Sequence, residues 1–241
     1  MRQIEGRNPV LEALRASTPI TEIYTKKELK KDERISEIIE IAKKKNIPVT
    51  ETDIKDLSQT GRDQGIIAMA EFKDFGSLQG IIEKAYEEER MPLVIILSGI
   101  VYEHNLGRIL RTAESTGVDA VIMPKNGFGL TPAVVKASAG ASEHIPLFHE
   151  NLFSTLKLLR KKGCKVIGMK EGKNKSIYNT NLNIPLVIVL GAEDEGIKPT
   201  LDKYIDEYIS LPMKGKIESL NVAVAASVCL YEVIRQKNQN L

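Results

Sequence analysis

The sequence predicts an α/β protein in which a parallel-sheet domain follows a small α/β domain. Three observations carry that prediction. Leu93–Leu97 and Leu186–Leu190 are unbroken apolar runs, the composition of strands buried on both faces. Segments of helical periodicity fall between these runs and further strand candidates, as they do when crossover helices join parallel strands. A charged stretch at residues 73–91 separates this block from a first block of shorter helix and strand patterns. The domain assignment is therefore residues 1–72, a connector at 73–91, and residues 92–241.

In the first block, Asn8-Pro9 followed by Val10, Leu11 and Leu14 predicts a helix with Asn8 as cap and Pro9 at its first position. Residues 21–25 read as a short strand. Ile35, Ile38, Ile39 and Ala42 mark one face of a helix ending in Lys43-Lys44-Lys45, where cations suit the carbonyl end. Residues 47–50 read as a strand, 53–57 as a helical turn, and 64–70 as a buried strand. The connector holds a helical pattern through Ile81, Ile82 and Ala85. In the second block, strands are expected at 93–97, 120–123, 165–168, 186–190 and 208–211. Helices are expected at 105–116, 132–140, 151–162 and 221–236. The last of these is apolar or small on every side from Val222 to Tyr231, so it needs cover on more than one face.

Composition narrows the function classes. The chain has 241 residues and a formal net charge of +2, which excludes a strongly basic tail. A local basic patch remains compatible with RNA binding, because phosphate affinity depends on where Lys and Arg stand. Cys164 and Cys229 match no metal-ligand spacing and there are three histidines, so no metal site is expected. The absence of a signal-peptide pattern and of any membrane-length apolar run predicts a cytoplasmic protein.

Ligands of open parallel sheets gather at the carboxyl ends of strands, and three loops there carry unusual polar content. The first runs from Ser98 to Arg111. Its helix buries Leu106, Ile109, Leu110 and Ala113, leaving Arg111 off that stripe and able to face a ligand. An exposed arginine is commonly just solvated. The second, Gly191-Ala-Glu-Asp-Glu-Gly196, is acidic, which argues against phosphate cradling, and no dinucleotide or Walker fingerprint is present. It suits a positively charged adenosine derivative, or is a simple turn. The third runs from Leu211 to Asn221, with Ser219 or Asn221 able to cap the helix that follows.

Together these stretches resemble the three motifs of the SpoU branch of the SPOUT methyltransferases. Asn105-Leu-Gly-Arg-Ile-Leu-Arg111 matches the first and Leu190-Gly-Ala-Glu-Asp-Glu-Gly196 the second. Leu211-Pro-Met with Ser219-Leu-Asn-Val-Ala-Val224 matches the third. Gly6-Arg-Asn-Pro-Val-Leu-Glu-Ala-Leu14 and Gln64-Gly-Ile-Ile-Ala68 resemble the ribosomal-protein-like RNA-binding domain of some members. The resemblance thus covers the whole chain and is nearest to the large-subunit ribosomal RNA guanosine 2′-O-methyltransferases. It implies methyl transfer from S-adenosylmethionine to a ribose 2′-hydroxyl of RNA, a C-terminal trefoil knot, and a homodimer. A transfer RNA substrate, or a non-catalytic RNA-binding or ribosome-assembly role on the same fold, are the alternatives.

The resemblance places cofactor contacts on Gly191, Leu211 and Leu220. It gives Asn105, Arg111, Glu193, Ser219 and Asn221 catalytic or site-forming positions. A guanidinium with a pKa above about 12 is a poor base, so Arg111 is expected to stabilise a developing alkoxide or anchor a phosphate, with literal deprotonation the costlier route. Two departures stand out: Tyr102-Glu103 replaces the usual Asp-Pro, and Ala223 replaces a usual serine.

Overall fold

The computed structural model describes residues 1–29, 32–172, 175–192, 194–217 and 219–238. The first elements in chain order are β1 (Arg2–Glu5), α1 (Arg7–Arg15), β2 (Ile20–Thr25), α2 (Glu33–Lys44), β3 (Val49–Glu51), β4 (Ile66–Ala70) and α3 (Leu78–Glu87). There follow β5 (Leu93–Leu97), α4 (Glu103–Ser115), β6 (Ala120–Pro124), α5 (Pro132–Ala137), β7 (Leu147–Glu150) and α6 (Leu152–Lys161). The last are β8 (Lys165–Met169), β9 (Lys175–Ser176), β10 (Leu186–Leu190), β11 (Glu207–Ser210) and α7 (Val222–Asn238). They assemble into two compact units whose membership departs from chain order.

The first unit holds residues 1–75 together with 106–111 and 128–144. Its sheet has the order β1-β4-β2-β3, with β4 antiparallel to both neighbours and β3 parallel to β2. Leu11 and Leu14 of α1 and Ile38 of α2 pack with Ile4, Ile23 and Ile66 of the sheet in one buried cluster. Val135 of α5 is in the same cluster. At Gly140 (φ +91°) an added Cβ would stand 2.7 Å from Glu12 Cβ and 3.1 Å from Pro9 Cα, so α1 rests directly on this turn.

A buried ion pair closes that junction. Arg2 donates both terminal nitrogens to the Glu143 carboxylate at 2.8 and 2.5 Å, with side chains 6% and 0% exposed. Thr18 Oγ1 donates to the same carboxylate at 2.8 Å. Lys73 Nζ donates to the Ala16 carbonyl at 2.8 Å and lies 3.4 Å from that of Glu143.

Two details differ from expectation here. β1 was not foreseen, and α1 begins at Arg7 with Gly6 as its cap residue, so Pro9 is the third helical residue and Asn8 does not cap. The chain passes from β1 into α1 through one residue at φ 101°, ψ 155°, a conformation open only to glycine. Residues 53–57 form a single turn, closed by Ser58 N donating to the Ile54 carbonyl at 3.1 Å.

The second unit holds residues 76–105, 112–127 and 145–241. Its seven strands are all parallel, in the order β7-β6-β5-β10-β8-β11-β9. On one face Val94, Ile96, Ile122, Val187 and Val189 pack with Leu156 and Leu159 of α6 and with Ile82 of α3. The alternate residues Leu93, Ile95, Val121 and Ile188 are equally buried, so the central strands are covered on both faces, as their apolar runs require. α3, capped by Ser77 Oγ accepting from Gly80 N at 3.1 Å, brings the helical part of the connector into this unit. β7 and β9 lie at the two edges of the sheet and had no apolar run to announce them.

Candidate active site

Two of the three loops meet at the carboxyl ends of neighbouring strands. After β5, the backbone N–H and the hydroxyl of Ser98 both donate to the Leu190 carbonyl, at 2.8 and 3.0 Å. At Gly99 an added Cβ would stand 2.8 Å from Ala192 Cβ, so the first loop lies directly against the second. The second loop is a closed turn: Ala192 and Gly196 exchange backbone hydrogen bonds at 2.9 and 3.0 Å. A Cβ on Gly191 would fall 2.1 Å from the Gly196 carbonyl carbon. Its glycine is thus required first by the turn's own backbone. Glu193, expected to form part of the site, lies outside the described residues.

The first and third motifs are joined by side chains. Asn221 Nδ2 donates to Asn105 Oδ1 at 3.1 Å, and Asn221 Oδ1 accepts from Ala223 N at 3.0 Å. Asn221 therefore caps α7 and ties it to the start of α4, where Asn105 is 6% exposed. Two turns further along α4, the Thr112 and Ser227 hydroxyls lie 2.9 Å apart, and Ser227 also donates to the Ala223 carbonyl at 2.8 Å. Sequence reasoning missed this second tie. Part of its signal was spacing: Thr112 follows Asn105 by seven residues, which returns it to the same face of α4. Ala223 takes part only through its backbone, so that departure costs the ties nothing.

Residues 211–217, 219 and 220 lie outside helices and strands. Leu211 is half-buried, while Leu220, Met213 and Ile217 are 40%, 38% and 74% exposed. Ser219 is exposed and makes no side-chain hydrogen bond among the described residues; the capping role falls to Asn221 alone. On α7, Val224 and Tyr231 are 48% and 57% exposed, so the all-round apolar helix is covered on one side only. Cys229 is on the covered side, and burial pushes its thiol up to about 12. Among the described residues no group of three or more His, Cys, Asp or Glu is placed to hold a metal ion, and no helix is long and apolar enough to cross a membrane.

Arg111 belongs to the first unit. It is exposed and has no ion-pair partner among the described residues. Its turn of α4 is held against α5 at Gly107, where an added Cβ would lie 2.5 Å from Ala137 Cβ and 2.7 Å from the Val134 carbonyl oxygen.

Comparison with known proteins extends over the whole chain. Residues 92–231 match the SpoU rRNA Methylase family, and residues 3–75 match the RNA 2′-O ribose methyltransferase substrate binding domain. The chain is 35% identical to YacO of Bacillus subtilis, described as of the TrmH family of tRNA/rRNA methyltransferases, over 97% of this chain and 95% of that protein. It is similar in fold to the SpoU methyltransferase AviRb from Streptomyces viridochromogenes in complex with AdoMet. There the TM-score is 0.82 at 20% identity, over 98% of this chain and 90% of that one. It is also similar in fold to an AdoMet-bound rRNA methyltransferase from Sinorhizobium meliloti, with a TM-score of 0.78 at 20% identity over 97% and 87%. With both family models matched in order and a relative of this identity along its full length, the chain belongs to the SpoU (TrmH) family of RNA 2′-O-ribose methyltransferases.

Proposed function

We propose that this protein methylates the ribose 2′-hydroxyl of a guanosine in large-subunit ribosomal RNA, using S-adenosylmethionine, as a cytoplasmic homodimer. The observation that carries the ribosomal target is the match of residues 92–231 to the SpoU rRNA Methylase family, with a substrate-binding domain at residues 3–75 of the same chain. The likeness to an rRNA methyltransferase along nearly the whole chain supports the same reading.

The residues present fit the cofactor. At the carboxyl ends of β10 and β11, the closed Ala192–Gly196 turn and the exposed faces of Met213, Ile217 and Leu220 combine backbone polar groups with apolar surface. Gly191, Leu211 and Leu220 are the proposed contacts. Bound there, S-adenosylmethionine supplies a methyl group already activated on a sulfonium. The protein's task is then alignment and charge. An in-line displacement gains most of its rate from holding the attacking oxygen in position, and the Asn105–Asn221 bond fixes the first and third motifs to each other before any ligand arrives. Arg111 stabilises the negative charge that develops on the ribose oxygen as its proton passes to solvent water, or anchors the adjoining phosphate. A guanidinium, ionised below about pH 12, does not take that proton readily. Glu193 and Ser219 complete the proposed set.

The exposed Val224 and Tyr231 on α7 support the homodimer, since a second copy would cover them. The trefoil knot is proposed with the fold family; β11 lying between β8 and β9 is compatible with it.

The test is twofold. Calorimetry is expected to show saturable S-adenosylmethionine binding near one site per chain. Labelled methyl groups should then pass to unmodified large-subunit ribosomal RNA and not to transfer RNA. Transfer to transfer RNA alone would reassign the substrate. Absence of transfer to either, by a folded protein that binds RNA, would favour a non-catalytic RNA-binding role.

A further inference from the structure

Seven of the chain's ten arginines have a carboxylate partner. Arg62, Arg108 and Arg111 have none among the described residues. All three are exposed, and all three belong to the first unit.

The scaffold presenting them is built rather than loose. Arg62 ends a surface loop that is organised on the Glu5 carboxylate, a residue 0% exposed. That carboxylate accepts from Ser58 Oγ at 3.2 Å, from Gln59 N at 2.6 Å and Thr60 N at 3.1 Å, and also from Thr60 Oγ1. Burying a carboxylate is costly unless its hydrogen bonds are satisfied, and here most of them serve to shape one exposed loop. From the other side, Lys136 Nζ of α5 donates to the Arg62 carbonyl. Arg108 and Arg111 stand three residues apart on α4, a spacing that brings side chains to within about 5–6 Å at Cβ. Their helix is seated on α5 through Gly107, against Ala137 and Val134. Neighbouring residues of α5 therefore hold both carriers: Lys136 holds the Arg62 loop, and Ala137 receives the Arg108–Arg111 turn.

Two unpaired cations three residues apart on one helix, Arg108 and Arg111, repel one another unless an anion lies between them. Arginine's planar fork is suited to phosphate oxygens, and its charge persists at any physiological pH. We propose that Arg62 and Arg108 bind RNA backbone phosphates, forming with Arg111 a phosphate-binding track on the first unit. Arg62 and Arg108 bind and take no part in the chemistry. The proposal rests on the methyltransferase reading only for the role of Arg111.

Salt dependence tests it directly, because each phosphate contact contributes roughly 0.7–0.9 to the slope of log affinity against log salt. The probe is an unmodified large-subunit ribosomal RNA transcript, titrated between 50 and 250 mM potassium chloride. Arg62→Ala and Arg108→Ala should each lower the slope by about one contact's share, and the double variant by about two. Arg62→Lys and Arg108→Lys should restore it, and Lys157→Ala, on an exposed face of the second unit, should leave it unchanged. In turnover, the two alanine variants should raise KM for RNA several-fold with kcat within about twofold, whereas Arg111→Ala should lose kcat. Wild-type slopes in both alanine variants would overturn the track. If the wild type transfers no methyl while the slopes still shift, the track stands and the enzyme reading falls.

Discussion

Replacing Glu143 with alanine should destabilise the protein by about 3–5 kcal/mol, the cost of breaking a buried ion pair on one side. The structure explains why the loss should be so large. Glu143 has no exposed surface and receives both Arg2 terminal nitrogens and the Thr18 hydroxyl. The Arg2 guanidinium left behind is 6% exposed, and its Nε already has no hydrogen-bond partner. Phe72, with its ring centroid 5.5 Å from the guanidinium carbon, offers only a weak cation–π contact in compensation. For a chain of this size each kcal/mol moves Tm by about 2–4 °C, so the midpoint should fall by roughly 6–20 °C when followed by circular dichroism. The double variant Arg2→Met/Glu143→Leu separates the unpaired charge from the lost contact. It should recover most of the stability, because an apolar pair of similar volume is often as stable as a buried ion pair. A loss below about 1 kcal/mol for Glu143→Ala would show that Arg2 reaches water and would refute the reasoning. So would a double variant no more stable than the single one.

Gly107→Ala places a methyl 2.5 Å from Ala137 Cβ and 2.7 Å from a backbone oxygen. It should cost about 1–3 kcal/mol in urea unfolding and lower kcat by displacing the Arg108–Arg111 turn; wild-type kcat in the folded variant would argue against that coupling. Asn221→Ala removes the cap of α7 and the bond to Asn105, so it should cost about 0.5–2 kcal/mol and weaken S-adenosylmethionine binding in calorimetry. Cys229 should resist a thiol reagent at pH 8 in the native protein and react on denaturation. Its folded-state thiol is raised from 9.0 to about 12, so its contribution to stability is intact below pH 9 and falls away as pH rises from 9 towards 12. A Cys229→Ala variant should show a shallower alkaline decline, and an unchanged decline would remove Cys229 as a cause.

The features that were legible are those a short stretch of chain dictates. Leu93–Leu97 and Leu186–Leu190 announce central strands because a strand covered on both faces needs an unbroken apolar run, and they pair with each other in the middle of the sheet. The stripe of Leu106, Ile109, Leu110 and Ala113 announces α4, and all four are fully buried. β7 and β9 had no such signal, since an edge strand leaves one side unpaired and can be built from half-buried residues. The start of α1 was misplaced by preferring the Asn-Pro pair, whereas Gly6 makes the turn.

The candidate site divides along the same line. Which residue types stand in the three motif loops, and that those loops follow strands of one parallel sheet, was determined by the sequence alone. Tertiary structure decided that Asn221 rather than Ser219 caps α7, that it bonds Asn105 across the chain, and that Thr112 and Ser227 repeat the tie. It also decided that residues 106–111 and 128–144 join the first unit, where Arg2 and Glu143, 141 positions apart, share one buried pair. Periodicity and capping are local and act within one or two turns of chain. Burial of a charge is tolerable only beside its opposite, and which opposite that is depends on how the chain folds back on itself.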